Sequence, residues 1–284
     1  MRENKMGVSY KLLFVLLWCT SVLVTALSCG NWTRIPGTLE DVTVSANHLW
    51  GVFNRDTILC RRPCNGSWVP VRGISDQVDA NDDEVWSISH GNLQIYKRPV
   101  DGSGYWTRVA GLFIHVTVSR MGYTWGVNHR NETYMCKDCN GANWVAIDHH
   151  IPLVQIEAGD DEVWAVNASN HIFRRPVNGT GDWITVPGRL RYVSASGNEQ
   201  IWGLAPNDSI YKCEKPCTGD WQPVEGALKQ IDGGFNYVCG VTRNNTILAM
   251  VVRGKDGMVW LLIRMLTMNT NYIKANIWLY AYIR

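Results

Sequence analysis

Residues 82–88 read DDEVWSI, and residues 160–166 read DDEVWAV. The phrase returns after 78 residues and both times runs into a Trp set in a strand-like alternation, so internal repetition is the first thing to establish. Trp stands at 32, 50, 68, 86, 106, 125, 144, 164, 183, 202 and 221, always 18 to 20 residues apart. Two classes alternate. Trp32, Trp68, Trp106, Trp144, Trp183 and Trp221 open segments such as WTRIPG, WVPVRG and WITVPG, whereas Trp50, Trp86, Trp125, Trp164 and Trp202 sit in WGVF, WSIS, WGVN, WAVN and WGLA. The next place in the second class is Cys239, in CGVT. One unit of about 38 residues therefore occurs six times, and the opening phrase marks the same loop in units two apart.

Each unit holds four short runs with β alternation. In the fourth they are WVAID, LVQIEA, EVWAVN and HIFRRPV. Six residues after each second-class position stands Asp56, Asn92, Asn131, Asn170, Asp208 or Asn245, residues suited to a hairpin turn. Four strands per unit of this length is the pattern of a propeller blade. The expected fold is all-β, a six-bladed β-propeller over 29–252, closed by the N-terminal strand around Trp32 pairing with residues 247–252 of the last blade. The paired Trp residues are read as packing between blades rather than as ligand contacts.

A two-unit alternation lies over the single repeat. Units 1, 3 and 5 carry Cys pairs where units 2 and 4 have YKRPV and FRRPV. In the inner strand, units 2, 4 and 6 carry Asp79, Glu157 and Asp232 where the others have Thr43, Thr117 and Ser194. Spaced every second blade, the three carboxylates would converge on the central channel and repel one another unless a cation intervened. Asp79, Glu157 and Asp232 are therefore the candidate metal ligands, with calcium as the ion and the DDE loops as second choice. No cofactor is otherwise required.

The sequence begins with Arg2, Lys5 and Lys11, an apolar run of about 15 residues from LLFVLLWC, and small residues before Cys29. This reads as a signal peptide over 1–28, too short for a membrane span. Sequons at Asn31, Asn65, Asn131, Asn167, Asn178, Asn207 and Asn244 point to a secreted, extracellular glycoprotein. A formal charge of +2 with no basic stripe argues against nucleic acid. Residues 253–284 form a divergent, apolar and Asn-rich tail.

In an oxidising compartment the close pairs Cys60 and Cys64, Cys136 and Cys139, and Cys213 and Cys217 are expected as local disulfides rather than zinc ligands. Counting leaves Cys29 with Cys239, but two strand spacings of about 4.8 Å each would separate them, beyond disulfide reach, so either the N-terminus curls round the blade bottom or the two stay unpaired.

WGVN, IYKRPV, LKQIDGG and the recurring W-x-x-[VI]-x-G resemble the tectonin repeat. A six-repeat secreted chain with local Cys pairs is similar to the fish-egg lectins, relatives of the horseshoe-crab tachylectins that bind bacterial surface sugars. The likeness covers about residues 29–250. It implies a carbohydrate-binding lectin of innate-immune type that recognises microbial or egg-surface glycans of the N-acetylglucosamine or galactose class. It allows for a homodimer and assigns no membrane span. The rival reading is an extracellular protein-interaction propeller. Relatives of this kind tend to carry a Cys on the last third strand that would meet Cys29, and this chain has none there.

An enzyme is not expected. HExxH, GxSxG and P-loop motifs are missing from the sequence, and its seven His residues do not recur at one repeat position. Sialidases are the serious enzyme alternative, yet their Arg cluster and Tyr nucleophile cannot be located. Loops are the better place for ligand residues. The turns around Asn54, His90, Asn128, Asn170 and Asn207 are the glycan-binding candidates.

Overall fold

The computed structural model describes residues 30–252, except 140, 142, 148, 149, 196–199 and 235. The expected leader, Cys29 and the tail at 253–284 lie outside the described residues. Among those described, every regular element is a strand. The first four are β1 (Thr33–Thr38), β2 (Asp41–Val44), β3 (His48–Phe53) and β4 (Asp56–Arg61). Next come β5 (Val69–Ala80), β6 (Glu84–Ser89), β7 (Gln94–Pro99) and β8 (Thr107–Leu112). Each W-segment pairs as the outer strand of the preceding unit, so the third unit gives β9 (His115–Val118), β10 (Tyr123–Val127), β11 (Thr133–Lys137) and β12 (Val145–Ile147). The fourth gives β13 (Leu153–Ala158), β14 (Glu162–Asn167), β15 (Ile172–Pro176) and β16 (Ile184–Val186). The fifth gives β17 (Tyr192–Ser194), β18 (Gln200–Leu204), β19 (Ser209–Glu214) and β20 (Gln222–Ala227). The chain then adds β21 (Gln230–Gly233), β22 (Tyr237–Val241) and β23 (Thr246–Val251).

These strands form antiparallel sheets in a propeller-like arrangement. Units 3, 4 and 5 each make one four-stranded sheet, and β21, β22 and β23 are completed by β1 from the other end of the chain. Thr33 lies opposite Ala249, and Ile35 opposite Ile247. Units 1 and 2 share one seven-stranded sheet because β5 runs without a break. Its first half pairs with β4, up to Ile74 opposite Asp56, and its second half, from Ser75 opposite Ser89, pairs with β6.

The core lies between neighbouring sheets. Trp50, Trp86, Trp125, Trp164 and Trp202 are fully buried in the second strand of their units. Three of them meet the first-class Trp of the next unit edge-on. Trp50 packs edge-on against Trp106, Trp125 against Trp183, and Trp164 against Trp221, with centroids 6.1, 6.1 and 6.4 Å apart. Such pairs fill the wedge between twisted sheets and add to area burial. Cys239 takes the missing sixth place as a buried free thiol, with Arg62 stacked 4.2 Å over the nearby Tyr237 ring. Between Cys239 and β1 stands β23, since Cys239 and Thr33 both lie opposite Ala249.

The alternation between units has a structural counterpart at the end of the third strand. Cys60–Cys64, Cys136–Cys139 and Cys213–Cys217 are closed disulfides in units 1, 3 and 5. At the place of the first Cys, units 2 and 4 put Arg98 and Arg175. Arg98 donates to the carbonyls of Gly102, Ser103 and Gly104, and Arg175 to those of Gly179 and Gly181. Each guanidinium also lies 5.2 Å from the ring centroid of its loop Trp, Trp106 or Trp183. A covalent staple and a multidentate clamp thus hold the same loop in alternate units.

The turn expectation holds in four units. Asn131, Asn170, Asp208 and Asn245 all take positive φ, between 61 and 71°. In unit 1 the left-handed residues are Asn54 and Arg55, at 50 and 70°. That is the two-residue hairpin in which both central residues need φ > 0. In unit 2 Leu93 takes the position instead of Asn92, and Asn92 accepts the Gln94 N–H at 3.0 Å.

Candidate functional site

The inner strands line a channel. Side chains alternate along a strand, so every second residue points to the same side. One layer is formed by Asp41, Gln77, His115, Gln155, Tyr192 and Gln230, and the next by Thr43, Asp79, Thr117, Glu157, Ser194 and Asp232.

Adjacent inner strands are joined through these side chains rather than by a backbone ladder. Gln77, Gln155 and Gln230 each make a two-way amide bond to the next unit. Their Nε2 groups donate to the carbonyls of Val116, Val193 and Val42 at 2.9, 2.8 and 2.8 Å. The N–H groups of those valines donate back to Oε1 at 3.1, 3.0 and 3.3 Å. One layer down, Val118 N–H donates to Asp79 at 2.6 Å and Val44 N–H to Asp232 at 2.7 Å. In the other direction, the N–H groups of Ala80, Ala158 and Gly233 donate to the hydroxyls of Thr43, Thr117 and Ser194 at 3.0–3.1 Å. The carboxylate and hydroxyl alternation is thus a set of complementary acceptors. Unit 6 bonds back to unit 1 by the same rule.

The same geometry brings Asp79, Glu157 and Asp232 together. One oxygen from each lies within 4.8 Å of the others. Ligand oxygens at 2.3–2.6 Å from one calcium ion can stand at most about 5 Å apart, so the spacing fits that ion. Asp232 also accepts from Thr43 and Ser194 at 2.9 and 3.0 Å. Glu157 is only 8% exposed, and among the described residues no hydrogen bond to its carboxylate is formed. Burial, together with the neighbouring acids, raises all of these groups. Asp232 is pushed up to about 7 and Glu157 well above the usual carboxylate range. Asp79 is raised by burial against its hydrogen bonds. Asp41, one layer away, is also pushed up to about 7, chiefly by burial. His115 is held near 4 by burial.

A cavity of about 30 Å³ opens on this cluster, lined also by Asp82, Asp160 and Arg120. It has room for one water-sized species. The DDE loops have protein partners. Arg120 of unit 3 bridges Asp82 and Asp160 at 3.2 and 3.5 Å, and Lys215 holds Asp161 at 2.5 Å. Asn81 folds the first loop by accepting from the N–H groups of Asp83 and Glu84. Asp82, Asp160 and Asp161 thus serve as inter-unit ties.

The five turn residues named from the sequence are dispersed, each on the hairpin of its own unit. Asn128 accepts from the N–H groups of Arg130 and Glu132 and donates to the Glu132 carboxylate at 2.7 Å. Asn207 accepts from Ser209 N–H at 3.2 Å. Asn54 and Asn170 contribute left-handed backbone. His90 Nδ1 pairs with Asp76 Oδ1 at 2.6 Å. The inter-unit glutamines and the Arg98 and Arg175 clamps escaped the sequence reading, although Gln77, Gln155 and Gln230 stand two residues before the three acids. The sequon residues Asn31, Asn65, Asn178, Asn207 and Asn244 are exposed, whereas Asn131 and Asn167 are half-buried.

Repeated four-stranded sheets stitched around a polar channel define the chain as a propeller-like, all-β repeat protein. The Tectonin domain family matches residues 20–101 and 75–281, and the chain belongs to that family. None of the curated proteins matches it in sequence. Among solved structures it is similar to human WBSCR16, at 9% identity and a TM-score of 0.53 over 76% of this chain and 77% of that one. It is also similar to YCF48 from Cyanidioschyzon merolae, at 15% identity and a TM-score of 0.50 over 78% of this chain and 98% of that one. The computationally designed protein Ika8 matches at 11% identity and a TM-score of 0.50, over 75% of this chain and 70% of that one. At these identities the likeness concerns the fold alone. Among the described residues no helix is long and apolar enough to cross a membrane.

Proposed function

We propose that this chain is a secreted, glycosylated lectin that binds microbial or egg-surface glycans of the N-acetylglucosamine or galactose class and performs no chemistry. The observation that carries this reading is membership of the tectonin family across the repeats. Three closed disulfides favour an oxidising compartment. We read the seven-stranded sheet as two blades sharing β5, which makes the ring six-bladed over 29–252, with a signal peptide at 1–28 and a separate tail at 253–284. A rigid ring with ligand-facing turns suits weak sugar sites whose repetition on a cell surface supplies avidity. A glycan array probed with the secreted protein tests this, and binding competed by free sugar is the expected result.

The second reading is a protein-interaction propeller. It is favoured by Phe53, Ile74, Leu112 and Ile114, large apolar side chains exposed at the hairpin and connection ends of units 1 to 3. Binding that no sugar displaces would select it.

For the channel, the proposal is a calcium ion held by Asp79, Glu157 and Asp232. The convergence of their oxygens supports it, as does the burial of Glu157 with no hydrogen bond to its carboxylate among the described residues. The acids also act as inter-unit acceptors, and the ion would relieve the repulsion that this construction creates.

A further inference from the structure

Unit 2 departs from its siblings at one place. In units 1, 3, 5 and 6 the connection into the inner strand turns at a glycine of positive φ, Gly37, Gly111, Gly188 or Gly226. Two residues later an apolar side chain is laid over a second-strand glycine. A Cβ added to Gly51, Gly126, Gly203 or Gly240 would fall 2.3–2.7 Å from Leu39, Phe113, Leu190 or Leu228. These plugs are anchored alike. Their N–H groups donate at 3.0–3.1 Å to the hairpin carbonyls of Asn245, Leu93, Asn170 and Asp208 in the preceding unit. Unit 4 also keeps an apolar pair here, buried Leu153 and Ala165.

Unit 2 makes the same anchor, from Ser75 N–H to the Arg55 carbonyl at 2.6 Å. Ser75 is therefore the plug residue, and Ser87 stands where the others have Gly or Ala. The two hydroxyls are 2% and 3% exposed at residue level and bond to each other. Gly73 does not take positive φ, and β5 runs straight through the joint. The outcome is an open cavity of about 120 Å³ lined by Ser75, Ser87, Ser89, Tyr96, Trp106, Gly73 and Ile74. In unit 3 the matching walls, Tyr134 and Trp144, are filled by Phe113, with ring centroids 6.0 and 4.6 Å away. In unit 2 the polar ends of the walls are engaged elsewhere. Tyr96 donates to Gln94 Oε1 at 2.8 Å and Trp106 to the Arg72 carbonyl at 2.5 Å. Their apolar surface is left to the cavity.

We infer that this pocket takes the acetamido group of a terminal N-acetylhexosamine, an assignment that rests on the lectin reading. The lining carries no charged side chain, so the ligand is neutral. Its volume equals about four waters at roughly 30 Å³ each, which suits a four-atom substituent and leaves the rest of the sugar at the open mouth. Two paired serines offer one free donor and free lone pairs, enough for the carbonyl and N–H of an amide. The aromatic walls and Ile74 receive the methyl group. The sugar ring then lies at the rim, where His90 and Asp76 follow directly on Ser89 and Ser75 in the chain. Among the described residues the paired serines occur in unit 2 alone.

The test is the double substitution Ser75→Leu with Ser87→Gly, which restores the plug used by the sibling units and so keeps the fold. Titrations of the wild-type glycoprotein with methyl glycosides of N-acetylglucosamine and of glucose, followed by NMR and by tryptophan fluorescence, give the reference. The expected result is at least tenfold preference for the acetamido sugar, a shifted Trp106 indole resonance, and at least tenfold loss in the double variant. Unchanged affinity in the variant, or equal binding of the two sugars by the wild type, overturns the pocket while leaving the lectin reading intact. Failure of the wild type to bind any glycan on an array removes the lectin reading and this site with it.

Discussion

Gln230 and Val42, 188 residues apart, exchange two hydrogen bonds: Gln230 Nε2 donates to the Val42 carbonyl at 2.8 Å and Val42 N–H returns to Gln230 Oε1 at 3.3 Å. The contact ties the last inner strand to the first. Gln77 and Gln155 do the same at the 2–3 and 4–5 joints. Replacing Gln230 by Leu keeps the side-chain bulk and strands both polar groups of a buried peptide. A loss of about 2–4 kcal/mol is expected from urea unfolding. An effect below about 0.5 kcal/mol would show that water or strand slippage replaces the bond.

Trp164 is fully buried and packs edge-on against Trp221 across the unit 4–5 joint. Trp164→Ala should cost roughly 3–5 kcal/mol. A loss near zero in thermal or urea unfolding would mean that the indole does not fill the wedge between sheets.

The clamps and staples predict unequal effects. Arg175→Ala removes two charge-assisted bonds to loop carbonyls and a contact with Trp183, and should cost about 1–3 kcal/mol. Each disulfide closes a loop of only three or four residues, so reduction of one should cost less than bridges over long loops do. Non-reducing peptide mapping should return only local pairs among these six cysteines. A bridge between units would contradict the fold.

The channel acids set a pH window. Asp41 and Asp232 are raised to about 7 in the folded state, and Asp79 and Glu157 are raised with them. A carboxyl group whose folded pKa exceeds its unfolded value stabilises the fold fully below the unfolded pKa, near 4, and loses that contribution as pH rises through about 7. Metal-free protein should therefore lose melting temperature from about pH 4 to about pH 7 through these groups, and Asp232→Asn should flatten the slope. Calcium should restore stability at pH 7.5 in the wild type and not in the variant. If neither EDTA nor calcium moves the melting curve, a shared proton rather than an ion balances the cluster.

Periodicity made the repeat legible. An 18–20-residue Trp spacing with two alternating classes set the unit and its phase, and Cys239 fell where a sixth Trp was due. The convergence of Asp79, Glu157 and Asp232 followed from strand alternation plus their recurrence in every second unit. The partners of the DDE loops did not follow, because Arg120 and Lys215 reach across joints that no local pattern encodes. Asn suits both sugar binding and tight turns, so the sequence alone does not separate the two roles. In Asn128 and Asn207 the turn claims the side chain. Ser75 and Ser87 were visible as departures from the repeat, but their significance depends on the plug packing, which is a tertiary fact.

The most direct test of the lectin account is a glycan array probed with the secreted, glycosylated protein, followed by competition with free N-acetylglucosamine and galactose. The account predicts saturable binding to a subset of glycans that one of these sugars displaces, with the arrayed glycans left chemically intact. Binding that no sugar displaces, an array without signal, or release of sialic acid from the arrayed glycans would contradict it.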